Sequence, residues 1–222
     1  MKHDAVIFDI DGTLWNASQA SATGWNAGLA KLNIDIKITV EQIESVAGNP
    51  YEKCVDILLP GLRERYPNLL ETLNTCEIEV VKTAGGIFYA GVLEGIKTIA
   101  DSYRIFLVSN CQDWYMKLFL QFSGLEPLLT GYDCHGMSEQ PKHEMFARLI
   151  SRFALKNPVY VGDTAGDERA AHLAGIDFIH AAYGFGSLTT GTVSCPSFPA
   201  VVVHLHDINQ WPPKTPGQKP AK

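Results

Sequence analysis

Two carboxylates at the end of one short apolar run are the residues best placed to do chemistry. Residues 5–14 read AVIFDIDGTL, and the first of these predict a strand buried on both faces. The run ends in Asp9 and Asp11, with Gly12 and Thr13 directly after them. Because an unpaired charge is costly to bury, a divalent cation with oxygen ligands is the simplest partner for these acids. The alternative is an acidic turn after a strand, since Asp-Gly is a common turn dipeptide.

Polar residues also follow two later apolar runs. Ser109 and Asn110 follow the run YRIFLV, and Asp163 follows the run PVYVG. Lys142 opens the predicted helix that precedes the second of these runs. Ligands of open parallel sheets bind at the carboxyl ends of the strands, so we expect these side chains to meet at one edge of a sheet.

These residue types suit phosphoryl transfer. Asp9 is the predicted nucleophile, forming an aspartyl-phosphate, and Asp11 can protonate the leaving alcohol and then take a proton from water. Mg²⁺ would screen the repulsion between a carboxylate and a phosphate, with Asp163 as the distal ligand. Asp167 can orient that ligand or a bound water. Ser109 and Lys142 can donate to the phosphoryl oxygens.

The same segments resemble, in order, the four signatures of the haloacid dehalogenase-like phosphohydrolases. AVIFDIDGTL is similar to the first signature, Ser109-Asn110 to the second, Lys142 to the third, and GDTAGD at 162–167 to the fourth. The resemblance implies that Asp9 is the nucleophile and Asp11 the acid and base. It places Mg²⁺ on Asp9, the Asp11 carbonyl oxygen and Asp163. It also implies a phosphate-binding set of Ser109, Asn110, Lys142, Gly12 and Thr13.

The family that the chain resembles includes other reactions, which are alternatives to a phosphatase. Dehalogenases and phosphonatases lack the second aspartate, so Asp11 argues against both. A phosphosugar mutase remains open because Lys53 and Arg63 could hold a second phosphate. A catalytically silent phosphometabolite-binding protein is the other alternative. The sequence therefore predicts a Mg²⁺-dependent phosphatase for a small phosphomonoester.

The apolar periodicity divides the chain into a core and an insertion. Residues 15–85 keep a helical pattern, whereas strands and helices alternate afterwards. We predict an α/β fold in which 1–14 and 86–211 form a doubly wound, Rossmann-like parallel sheet core. The insert resembles the C1-type helical cap of the phosphoglycolate-phosphatase-like branch. The Pro- and Lys-rich segment 212–222 is a predicted disordered tail.

A few residues carry weaker predictions. In the cap, Asn49 and Lys53 are candidates for substrate specificity, against the alternatives of a helix-ending turn and a solvated lysine. Trp15 either lines the space between cap and core or packs the hinge. Residues 201–205 predict a short edge strand. His204 and His206 alternate along it, although no third metal ligand is nearby.

Composition limits the class of protein. The chain has 222 residues and a net charge of −6, which does not suggest nucleic-acid binding. Five cysteines without a C-x-x-C pair indicate reduced thiols, and no apolar run approaches the length of a membrane span. The predicted strand begins too near residue 1 for a signal peptide. We expect a cytoplasmic protein, a monomer or weak dimer, whose partner is a small phosphorylated metabolite, with no nucleic acid and no membrane.

Overall fold

The computed structural model describes residues 2–188 and 191–209, so the predicted tail at 212–222 lies outside the described residues. Its strands are β1 (Ala5–Phe8), β2 (Trp15–Asn16), β3 (Ile87–Phe88), β4 (Arg104–Ser109), β5 (Leu129–Cys134), β6 (Pro158–Gly162), β7 (Asp177–Ala181) and β8 (Val193–Cys195). Its helices are α1 (Ser18–Lys31), α2 (Val40–Val46), α3 (Tyr51–Leu58), α4 (Leu62–Arg65), α5 (Leu69–Ala84), α6 (Val92–Ala100), α7 (Asp113–Ser123), α8 (His135–Ser138), α9 (Lys142–Phe153), α10 (Ala165–Ala174) and α11 (Phe198–Asn209).

Six of the strands form one parallel sheet in the order β5-β4-β1-β6-β7-β8. Strand β1 is central, and its Ala5 lies opposite Arg104 on one side and Pro158 on the other. After β1 the chain forms β4 and β5 on one side of it, and then β6, β7 and β8 on the other side. Strand order therefore reverses at β1, where a ligand site is expected at the carboxyl ends of β1, β4 and β6.

Helices cover both faces of this sheet. On one face, α6, α7 and α11 pack over β1, β4 and β6, and on the other α9 and α10 do so. The strand residues alternate between the two cores, Val6 and Phe8 in one and Ala5 and Ile7 in the other. Burial on both sides explains why the strand has no polar residue before its end. The predicted doubly wound α/β fold is confirmed.

Helices α1 to α5, which we call the cap, have a separate apolar cluster that includes Trp25, Leu29 and Leu73. Helices α1 and α5 pack so closely that a Cβ at Gly24 would lie 2.5 Å from the Glu77 Cα. The cap lies between β2 and β3, which pair antiparallel. Trp15 in β2 is fully buried among aromatic rings of β3 and α7, so it packs the hinge.

The predicted edge strand at 201–205 is wrong, because these residues belong to helix α11. Three consecutive valines favour a strand locally, but helical spacing lets Val201 and Leu205 pack on the sheet while Val203 is exposed. His204 and His206 are thus two residues apart on a helix, where they do not share a face. The edge strand is instead β8, a three-residue segment that the sequence analysis missed.

Candidate active site

Three buried carboxylates lie together at the carboxyl ends of β1 and β6. Oxygen atoms of Asp9, Asp163 and Asp167 all lie within 4.8 Å of one another. The Asp9 N–H donates to the Val161 carbonyl at 2.9 Å, which continues the ladder of β1 by one residue. Asp163 follows β6 directly, and Asp167 lies in the first turn of α10. Two neighbouring strands and one helix start therefore set the positions of all three acids.

Lys142 supplies the positive charge of this cluster. It is the first residue of α9, and its Nζ lies 3.0 Å from Asp9 Oδ1 and 2.5 Å from Asp167 Oδ1. Only 4% of the residue is exposed. Burial lowers the pKa of Lys142, but Asp167 and Asp9 raise it by more, so the pKa is above its usual value. Lys142 therefore stays charged between the two acids.

Asp167 has its oxygens fully used by protein donors. It accepts hydrogen bonds from Lys142, from the Tyr160 hydroxyl at 2.9 Å, and from the Thr164 N–H and hydroxyl at 3.0 and 2.6 Å. Burial raises the pKa of Asp167, but Lys142 and Thr164 outweigh it, so the pKa lies below its usual value. Asp167 is thus an anion that holds Lys142 in place, as a residue orienting its neighbours would do.

Asp9 and Asp163 are different, because each keeps a buried oxygen without a hydrogen bond. In the described part of the chain, neither Asp9 Oδ2 nor Asp163 Oδ1 has a partner. Burial first, and neighbouring acids after it, raise the pKa of Asp9 to about 6 and that of Asp163 to about 8. Such atoms are costly to bury unless something pairs with them. Two carboxylate oxygens facing one space are a donor set that fits a hard divalent cation.

Glycines allow the backbone to pack closely against Asp163. Gly12 has φ +75°, and a Cβ there would lie 2.1 Å from Asp163 Oδ2. A Cβ at Gly184 would lie 2.4 Å from the Asp163 Cβ. Between the glycines of the 184–186 loop, the Phe185 N–H donates to Asp163 Oδ2 at 2.8 Å. The sequence analysis missed Phe185, since a contact through a backbone amide leaves no mark in residue type.

Asp11 lies beside this cluster and has a different environment. Its Oδ1 accepts a hydrogen bond from the Tyr115 hydroxyl. Burial, with Asp9 and Glu77 adding to it and Tyr115 opposing it, raises the pKa of Asp11 to about 7. A group with that pKa can both give and take a proton near neutral pH. Tyr115 was missed as a site residue because its helical spacing indicates only a core position in α7.

We call the carboxyl ends of β1, β4 and β6 the catalytic edge, and a cavity of about 100 Å³ joins this edge to the cap. Asp9, Asp11, Ser109 and Asn110 line its core side. Asn110 Nδ2 also donates to the Gly48 carbonyl at 2.7 Å, which links core and cap.

Other predicted site residues have different surroundings. Thr13 is fully buried and does not line the cavity, and its carbonyl accepts from the Tyr183 hydroxyl at 2.8 Å. Asn49 lines the cavity, and its Nδ2 donates to the Val46 carbonyl at 2.9 Å, as in a helix-ending turn. Lys53 is exposed on α3 and does not line the cavity. Arg63 pairs with Glu52 and Asp56 at 3.0 and 2.8 Å. Neither of these cap cations contacts the catalytic edge.

Comparison with known proteins agrees with this site. The family model of haloacid dehalogenase-like hydrolases matches residues 6–181. A phosphoglycolate phosphatase of Nitrosospira multiformis is 27% identical over 193 residues, covering 82% of this chain and 84% of that protein. One from Pasteurella multocida is 25% identical over 197 residues, covering 80% and 85%. A crystal structure from Haemophilus somnus 129PT, described as a predicted phosphoglycolate phosphatase, has a TM-score of 0.79 at 18% identity, covering 92% and 99%.

The chain therefore belongs to the haloacid dehalogenase-like hydrolases. The predicted family and its phosphoglycolate-phosphatase-like branch are confirmed, and so is the phosphatase class of hydrolase. Hydrolases of this kind generally use a metal ion, and the acidic cluster fits one. Within residues 2–188 and 191–209, no helix has the length and apolarity needed to cross a membrane.

Proposed function

We propose that this chain is a cytoplasmic, Mg²⁺-dependent phosphatase that hydrolyses a small phosphomonoester through an aspartyl-phosphate on Asp9. The observation that carries the proposal is the pair of unpartnered buried oxygens on Asp9 and Asp163, with Lys142 beside them. A carboxylate oxygen that accepts no hydrogen bond is free to attack phosphorus or to bind a metal. The phosphatase relatives support the same conclusion.

The metal would be held by Asp9, by Asp163 and by the carbonyl oxygen of Asp11. Mg²⁺ suits these hard oxygen donors, and it tolerates few protein ligands because it retains several waters. When bound, it would screen the repulsion between the attacking carboxylate and the phosphoryl oxygens. Asp167 would stay outside the ligand set, since protein donors already occupy its oxygens.

The reaction then follows from the two aspartates of the first motif. In the first step an Asp9 oxygen forms a bond to phosphorus, and the bond from phosphorus to the ester oxygen breaks. The protonated Asp11 gives its proton to the departing alkoxide, which leaves as an alcohol. In the second step Asp11 takes a proton from water as that water attacks phosphorus. Inorganic phosphate leaves and Asp9 is regenerated.

The remaining residues would bind and orient the phosphoryl group. Lys142 offers a fixed charge to the transferred phosphate as well as to Asp9. Ser109 and Asn110 line the cavity beside Asp9 and can donate to phosphoryl oxygens. Gly12 and Thr13 do not line this cavity, and Gly12 instead allows the Asp163 side chain to lie against its backbone. The side-chain donors are positioned before the reaction, which is where electrostatic stabilisation is most effective.

Replacing the nucleophile tests the proposal most directly. Asp9→Asn should lower kcat for an aryl phosphate by about 10⁴-fold or more, since no other group can form the phosphoenzyme. Circular dichroism should show a folded chain, because Asn has nearly the same volume. Asp35→Asn, at an exposed position in the cap, is the matched control and should retain activity. Activity within tenfold of the unchanged chain in Asp9→Asn would contradict the nucleophile assignment.

Metal removal is the second test. Dialysis against EDTA should abolish phosphate release, and added Mg²⁺ should restore it. Mg²⁺ should also raise the thermal unfolding temperature of the unchanged chain, since it pairs with buried carboxylates only in the folded state. Asp163→Asn should weaken that shift. Full activity in EDTA would contradict the metal assignment.

A further inference from the structure

The cavity extends past Asp11 into the cap, where the leaving group of a substrate would lie. Its outer wall includes Ser21, Trp25, Tyr51 and Glu77 from the cap and Trp114 from the core. At the inner end, Asp9 and Ser109 line the same cavity. A phosphoryl group on Asp9 would therefore leave the rest of the substrate facing the cap wall.

Glu77 is a buried acid in this wall. The residue is 6% exposed on α5, and its Oε2 accepts a hydrogen bond from the Trp25 indole N–H at 2.8 Å. The Ser21 hydroxyl bonds to the same side chain. Burial raises the pKa of Glu77, because no cation among the described residues lies beside its carboxyl group to offset the loss of solvent, so a cation bound in the cavity would pair with this acid.

No basic residue that the structure describes lies in the wall to pair with this acid. Among the described residues that line the cavity there is no Lys, Arg or His. Lys142 lies behind Asp9 and is held between two acids. Lys53 is exposed outside the cavity. A carboxylate on the leaving group would therefore be buried near another carboxylate with no cation to pair with it, which is strongly unfavourable.

The other groups at the wall favour a cation. The rings of Trp25, Tyr51 and Trp114 line the cavity, and a positive charge is attracted to the face of an aromatic ring. The Tyr51 hydroxyl oxygen is buried and has no hydrogen-bond partner among the described residues, so it can accept from a substrate donor.

We infer that the substrate is a small phosphomonoester whose leaving alcohol carries an ammonium group, which Glu77 and the aromatic wall bind. This inference rests on the proposed phosphatase activity and adds the charge of the leaving group to it. It separates this chain from the relatives named as phosphoglycolate phosphatases, because the leaving group of phosphoglycolate carries a carboxylate.

Three substrates that differ at one terminal group test the inference. O-phosphoethanolamine ends in an ammonium group, 2-hydroxyethyl phosphate in a hydroxyl, and 2-phosphoglycolate in a carboxylate. With Mg²⁺ present, kcat/KM for phosphate release should fall in that order. The ammonium substrate should exceed the carboxylate substrate by about 100-fold. An equal or higher kcat/KM for 2-phosphoglycolate would overturn the inference.

An aryl phosphate assayed in parallel distinguishes this failure from failure of the proposed function. Hydrolysis of the aryl phosphate with no preference for the ammonium substrate would overturn only the inference. No hydrolysis of any of the four phosphates would overturn the proposed function, and the inference with it.

Glu77→Gln tests the residue itself. Glutamine can still accept the Trp25 hydrogen bond, so a merely structural role would leave the choice of substrate unchanged. We expect the ratio of kcat/KM for the ammonium substrate to that for the hydroxyl substrate to fall about tenfold. Glu79→Gln, two residues on and exposed, is the control and should leave this ratio within twofold. An unchanged ratio in a folded Glu77→Gln would overturn the role of Glu77. The three-substrate comparison on the unchanged chain decides the inference even if that variant does not fold.

Discussion

The catalytic edge of the sheet contains buried acids paired with a lysine, whereas the cap wall of the cavity contains a buried acid without a basic partner among the described residues. At the edge, Lys142 lies between Asp9 and Asp167, and two further carboxylate oxygens face a space that a cation can fill. At the cap wall, Glu77 is buried among aromatic rings with no basic residue in the lining that the structure describes. The edge is therefore suited to bind a metal and the phosphoryl group of a substrate. The wall is suited to bind the leaving group of that substrate.

The two regions are also built differently. Backbone ladders of a parallel sheet position the edge, so its acids follow from where β1 and β6 end. Packing of α1 against α5 positions the wall, and Glu77 lies at the level of the close contact made by Gly24. This difference explains how one fold can keep its reaction while its choice of substrate changes, because the groups for each lie on separate elements.

Removing the charge of Lys142, which pairs with two acids of the edge, should have a large effect on stability. Lys142→Met leaves Asp9 and Asp167 buried without their partner, so the free energy of unfolding should fall by about 3–5 kcal/mol in the absence of metal. Urea denaturation measures this change. Lys156→Met, at an exposed position, should alter stability by less than about 0.5 kcal/mol. Equal effects of the two changes would mean that the edge does not depend on its internal charge pairing.

A smaller effect, on kcat, is expected for Tyr115, which lies where the two regions meet. Tyr115→Phe removes the hydroxyl that donates to Asp11, so the acid is less well oriented toward the leaving group. We expect kcat to fall about tenfold with little change in KM, and steady-state kinetics on the aryl phosphate measures both. Tyr66→Phe, in the cap and outside the cavity, should change neither constant. A rise in KM alone would place Tyr115 with substrate binding instead of proton transfer.

The smallest effect, on KM, should come from removing the hydrogen bond that joins the core to the cap. Asn110→Ala deletes the hydrogen bond to the Gly48 carbonyl, which holds the cap loop against the core. Loss of one such bond corresponds to about a fivefold increase in KM for the aryl phosphate. Asn68→Ala is the control, since the exposed Asn68 side chain makes no capping bond at the start of α5. A larger fall in kcat than rise in KM would indicate that Asn110 acts mainly on the phosphoryl group.

Much of the fold can be predicted from local patterns. Apolar runs identified β1, β4 and β6, and the alternation with helices indicated a parallel sheet. The run at 201–205 gave the wrong result because valine favours strands, and only packing against the sheet decides that Val201 and Leu205 face it from a helix. Strand β8 has three residues and little apolar pattern, so no local signal distinguished it.

The candidate site likewise contains residues that local motifs predict and residues that only long-range packing places. Asp9, Asp163, Asp167 and Lys142 occur in ordered motifs, and the structure brings them together; their roles remain predictions. Tyr115 and Glu77 are in no motif. Each occupies an ordinary helical position, and its contact with the site depends on how helices pack at long range. The Phe185 contact uses only a backbone amide.

The glycines around Asp163 bear on how such a site should be surveyed by mutation. Side chains at positions 12, 184 and 186 would each collide with Asp163 or its neighbours at 2.1 to 2.4 Å. Alanine substitution removes atoms at most positions, but at these glycines it adds a methyl group. We expect this added methyl group to displace Asp163 from its position beside Asp9.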